Sequence, residues 1–125
     1  MENLKTYNQL IESNSKFKKG DIITRPGDSS IFLIVRDNYS DYDVLKLGEI
    51  MYGMLLLSNR KIEKNYPIRN FERKINNREM RLLVEQFENN KDNIKKIENI
   101  TGINIQEHPK YKEYLLKKDL DKFDI

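Results

Sequence analysis

Eight basic side chains stand between residues 58 and 81: Arg60, Lys61, Lys64, Arg69, Arg73, Lys74, Arg78 and Arg81. Only Glu63, Glu72 and Glu79 oppose them, so this stretch carries +5, more than the whole chain's net +3. It also holds five of the seven arginines, Arg25 and Arg36 being the others. A planar guanidinium suits phosphate and carboxylate partners better than a lysine ammonium does. Tyr66 and Phe71 lie among these cations, placed to stack on a base or on a partner surface. Arg78 and Arg81 fall in the first turn of an expected helix, where positive charge opposes the helix dipole by about 0.3–1 kcal/mol. A bound anion would relieve that conflict. The plainer reading is a solvated link between sheet and helix, with Arg81 paired to Glu85 one turn on.

Other chemistries find less support. The acidic turn Asp37-Asn38-Tyr39-Ser40-Asp41-Tyr42-Asp43 has Tyr42 where an EF-hand needs glycine and Gly48 where it needs glutamate. A hairpin turn is the better reading. Pro26-Gly27-Asp28-Ser29-Ser30 lacks the Lys-Ser/Thr that follows a phosphate loop, and reads as a turn. His108, the single histidine, directly precedes Pro109 at a helix start, where a loop or capping role fits better than acid–base work. Glu72-Arg73-Lys74 matches half of a nuclease metal motif, but no clear strand-borne aspartate precedes it. No catalytic constellation, metal site or cofactor is expected.

Absences narrow the class further. Without cysteine there are no disulfides, thiolate nucleophiles or cysteine zinc sites. The longest apolar run, Met54 to Leu57, is far shorter than the roughly 20 residues of a membrane span. The start Met1-Glu2-Asn3-Leu4-Lys5 does not resemble a signal peptide, so a protein of the bacterial cytoplasm with no membrane partner is expected. Alanine is missing entirely, while lysine, isoleucine, asparagine and tyrosine abound. That bias accompanies AT-rich genes of low-GC bacteria, their phages and mobile elements.

A chain of 125 residues fits a single small domain, here with 38% hydrophobic and 34% charged residues. Leu4, Tyr7, Leu10 and Ile11 recur at helical spacing, predicting an N-terminal helix over 1–15. A small β-barrel-like domain is expected over 16–74. Its strands would be one that follows a turn within Phe17–Arg25, then Ile31–Val35, Tyr42–Leu47 (ended by Gly48), Ile50–Leu57 (interrupted by Gly53) and Tyr66–Phe71. A helical segment packed on it should fill 75–125. Met80, Leu83, Val84 and Phe87 share one helix face, with Asn77 as the expected cap. Ile94, Ile97 and Ile100 form a second face ending at Gly102, and Pro109 opens a last helix along Leu116, Leu120 and Phe123. Met80, Leu83, Phe87, Asn90, Ile94, Ile97 and Thr101 also fit a seven-residue repeat. Two polar residues in that seam favour two helices over one coiled coil, and leave monomer or homodimer open.

Lys19-Gly20-Asp21-Ile22-Ile23 followed by Ile31-Phe32-Leu33-Ile34-Val35-Arg36-Asp37-Asn38 resembles the opening strands of SH3-like barrels, and of the PemK/MazF-type ribonucleases built on them. The resemblance covers about 20 residues; it implies a barrel or bent sheet and, as an alternative function, metal-independent RNA cleavage dependent on Arg25. The loop between the two strands is shortened to Thr24–Ser30, and the Arg-Pro expected before the second strand stands earlier, at Arg25-Pro26.

The expected protein is therefore α+β. It is a small antiparallel SH3-like barrel or bent five-stranded sheet with an N-terminal helix and two to three C-terminal helices. Its expected function is non-enzymatic: a phage or mobile-element accessory module that docks on, and modulates or inhibits, a host protein or protein–nucleic acid complex. Arg60, Lys61, Lys64, Tyr66, Arg69, Phe71, Arg73, Lys74, Arg78 and Arg81 would bind the acidic partner. Direct RNA or DNA binding is the second reading.

Overall fold

The computed structural model describes residues 17–25, 27, 29–58, 61–67 and 73–123, with side chains as far as 118. The helix expected over 1–15 lies outside these residues, as do Arg60, Arg69 and Phe71.

An antiparallel six-stranded sheet comprises β1 (Ile22–Arg25), β2 (Ser30–Asp37), β3 (Tyr42–Met51), β4 (Met54–Leu57), β5 (Glu63–Tyr66) and β6 (Arg73–Lys74). The order is β4-β3-β2-β1-β6, and β5 pairs with β3 at Tyr42 and Val44. One edge of β3 therefore carries β5 at its beginning and β4 at its end. Register shifts at Ile31/Phe32 and Ile34/Arg36 bulge the β2–β3 ladder, which bends the sheet without closing it into a barrel. With the helices on one face, the chain is α+β.

Two strand expectations are corrected by close packing. Gly48 does not end β3, which runs on to Met51. A Cβ at Gly48 would lie 2.3 Å from the Leu56 carbonyl oxygen, so glycine stands there to admit the neighbouring backbone. The turn falls later, at Tyr52-Gly53, both with positive φ. The strand expected at Tyr66–Phe71 also shifts: β5 ends at Tyr66, and β6 pairs with β1 through Ile23↔Lys74 and Thr24↔Arg73.

Alternation along β1 and β2 separates two cores. Ile22, Ile31, Leu33, Leu45, Leu47 and Leu55 point to one face, where α1 (Asn77–Asn89), α2 (Lys91–Thr101) and α3 (Pro109–Phe123) cover them. Met80, Leu83, Val84, Phe87, Ile94 and Ile97 complete that core, at the helical spacing read from the sequence. Phe17, Ile23, Phe32, Ile34, Tyr42 and Val44 form a smaller cluster on the other face, with Tyr66 packed against it.

The helices are two where one seam was possible. Asn90, at φ −138° and ψ 60°, leaves the helical region between α1 and α2, and its Nδ2 donates to the Gln86 carbonyl at 2.9 Å. Gly102 closes α2 in the left-handed conformation, and Pro109 begins α3. The cap of α1 is Asn76, one residue before the expected Asn77. Its side chain accepts from the Glu79 N–H at 2.8 Å, and the Glu79 carboxylate accepts from the Asn76 N–H at 3.0 Å. On α3 the buried stripe is Tyr111 with Tyr114 and Leu115, whereas Leu116 is 62% exposed. Tyr111 donates to Glu88 at 2.7 Å, so the polar end of this buried ring sets the face of α3. Among the described residues, no helix is long and apolar enough to cross a membrane.

Candidate functional site

The basic residues that the structure describes do not act as one uniform patch. Lys61 lies in the approach to β5, Lys64 on that strand, and Arg78 and Arg81 in the first turns of α1; all four are exposed. Arg73 is exposed but committed: its guanidinium donates to both Glu79 carboxylate oxygens, at 2.8 and 3.0 Å. That fork holds the Arg73 pKa above its ordinary value. Lys74, also exposed, comes within 3.8 Å of the Asp21 carboxylate, a surface pair that restrains it little. Arg78 and Arg81 have no ion-pair partner among the described residues, and the Arg81–Glu85 pair of the plainer reading is not made.

Tyr66 is half-buried and built into the small cluster. Its ring lies 5.2 Å from that of Phe32, and its hydroxyl accepts a hydrogen bond from Arg25. The Arg25 guanidinium sits 5.1 Å from the Phe32 ring centre and 5.4 Å from that of Tyr66. Arg25, on which the ribonuclease alternative depends, thus has a packing role as the cationic cover of two rings.

Between β1, β6 and the start of α1 opens a cleft of about 300 Å³, bordered by Thr24, Arg25, Arg73, Asn76, Arg78 and Glu79 among others. It is at the small end of ligand-pocket sizes. Three guanidinium-bearing residues border it against a single carboxylate, and that carboxylate is held by Arg73 and by the helix cap. The Asn76 cap satisfies the Glu79 N–H and its carbonyl the Met80 N–H, leaving the N–H groups of Asn77 and Arg78 without an acceptor among the described residues. Sequence reading placed Arg73 and Arg78 here but missed Thr24 and Asn76. A signal for Thr24 existed: in Ile22-Ile23-Thr24-Arg25 a polar residue shares the parity of the buried Ile22.

A second exposed feature is apolar. At the β3–β4 turn Tyr52 is 96% exposed, between the exposed Met51 and Met54. Tyr52 holds φ +53°, a conformation that a bulky side chain adopts at a cost and that asparagine or glycine would suit better. The acidic turn folds on itself as a hairpin connection: Asn38 donates to Asp41 and Asp43, and Tyr39 N–H donates to Asp37. Asp43 also accepts from the Asn65 N–H, which holds its carboxyl below the ordinary value and ties this turn to β5. Among the described residues, no group of three or more His, Cys, Asp or Glu side chains could hold a metal ion.

Comparison with protein-family models, curated proteins and solved structures finds no match to the chain.

Proposed function

We propose that this protein is a non-enzymatic binding module that docks on an acidic partner, a protein or protein–nucleic acid complex, through the face carrying residues 58–81. The observation that carries the reading is that Arg78, in the first turn of α1, and Arg81, at the start of the second, are exposed and without ion-pair partners among the described residues. The first-turn charge costs the free protein about 0.3–1 kcal/mol at low salt, and an anionic surface reverses the sign. Lys61 and Lys64, in the approach to β5 and on that strand, are exposed as well. The alanine-free composition supports an origin in an AT-rich phage or mobile element, with the partner a component of the bacterial host's cytoplasm.

The test begins with affinity capture from the host, followed by titration of the recovered partner. Lys64→Glu/Arg81→Glu should weaken that partner by at least about tenfold, the worth of one or two desolvated charge contacts. Equal affinity of wild type and variant refutes the docking face. A partner that is nucleic acid alone would instead show binding that falls with salt, by about 0.7–0.9 in logarithmic slope per phosphate contact.

A further inference from the structure

We propose that the cleft at the start of α1 is a binding site for a single phosphate group. The inference rests on the docking reading above and names the chemistry that its inner edge recognises. Three independent features converge there. The Arg78 N–H, without an acceptor among the described residues, borders the cleft at the positive end of a 13-residue helix. The Arg78 side chain is exposed and makes no ion pair among the described residues. From the sheet side comes Thr24, 2% exposed, whose hydroxyl has no hydrogen-bond partner among the described residues. A buried hydroxyl without a partner is costly unless something supplies one.

Phosphate fits these donors better than a carboxylate does. A carboxylate offers two oxygens in one plane, whereas the donors here approach from a strand on one side and a helix terminus on the other. A tetrahedral phosphate presents oxygens in both directions, and its higher charge matches a cleft with three bordering arginines and one carboxylate. Glu79 does not block the site, because its carboxylate is held by Arg73 and the Asn76 N–H. The cleft's volume, about 300 Å³, leaves room for the group to which a phosphate is esterified.

The experiment is an amide NMR titration of the full chain with inorganic phosphate at constant ionic strength, repeated with acetate and with a short single-stranded RNA. Saturable shifts at Arg78 are expected with phosphate and not with acetate. Tighter binding of the RNA assigns the phosphate to a nucleic-acid backbone; tighter binding of inorganic phosphate assigns it to a free ion or small ester. Thr24→Val should weaken phosphate by about tenfold, the worth of a hydrogen bond to a charged group. The same variant should raise the thermal midpoint of the free protein, which also verifies that it folds. Arg78→Ala should weaken phosphate by a similar factor. Equal responses to acetate and phosphate, or unchanged phosphate affinity in Thr24→Val, overturn the site. Lys64→Glu/Arg81→Glu alters neither Thr24 nor Arg78, so failure of the docking face and failure of the phosphate site are told apart.

Discussion

The helix-covered face of the sheet buries a large, almost wholly aliphatic core, while the opposite face buries a small one closed by polar and charged side chains. On the helix side, Leu33, Leu45, Leu83, Val84 and Phe87 are each 1% exposed or less, with helices above the strands. On the other side, Ile23, Phe32, Ile34 and Val44 are equally buried, but their cover is Tyr42, Tyr66 and the Arg25 guanidinium. Tyr42 accepts the Phe17 N–H at 3.1 Å, so even the backbone entering the sheet is tied by a hydroxyl. A large core is stabilised by area, to which each side chain contributes independently. In a small one, a few directional contacts determine whether the apolar residues stay covered. The cleft lies where β1, β6 and the start of α1 meet, at the margin of the helix-side core, whose Leu82 and Ile50 also border it.

Matched truncations break or sharpen this contrast most strongly. Leu83→Ala on the helix side should cost about 4–5 kcal/mol, because helices and sheet enclose the cavity and cannot collapse into it. Ile34→Ala, equally buried on the other face, should cost about 2–3 kcal/mol, since a small cluster can relax around the lost methyl groups. Urea unfolding of both variants measures the difference. Equal costs would mean that the two faces are held alike.

Next in size is Tyr42→Phe. It leaves the ring in place against Phe17 and removes the acceptor of a buried N–H, which should cost about 1–3 kcal/mol. Arg25→Met, which keeps an apolar stem but removes the cation over Phe32 and Tyr66, should cost about 1 kcal/mol. If urea unfolding finds neither change destabilising, the polar closure of the small cluster is incidental.

The large core was legible in the sequence, and the small one and the cleft were not, for a common physical reason. Met80, Leu83, Val84 and Phe87 announce their face through local spacing. The break at Asn90 and the stops at Gly102 and Pro109 are equally local. The cleft joins Thr24 to Asn76 and Arg78 through the β1–β6 pairing, a contact that no short-range pattern encodes. Tyr66 reads as a free stacking ring until Phe32 and Arg25 are brought beside it. On α3, spacing alone favoured Leu116, whereas the Tyr111 hydroxyl and its Glu88 acceptor turned the helix by about one residue. Gly48 reads as a stop because its neighbour Leu56 is invisible until β4 folds back.

The smallest effect tests whether the helix side is as indifferent to charge as its aliphatic core implies. His108, the chain's single histidine, accepts the Lys110 N–H on its Nδ1 at 3.1 Å, at the start of α3. An imidazole can accept there only while Nδ1 is unprotonated, and burial holds its pKa below the ordinary value of 6.5. The unfolded chain therefore binds the proton first as pH falls. Stability is complete above about pH 6.5 and declines below it, until the folded imidazole is protonated too. Urea midpoints measured from about pH 8 down to about pH 5 should fall slightly in wild type and stay flat in His108→Gln, above the range where carboxylates titrate. Parallel curves would show that this cap adds no charge dependence to the helix side.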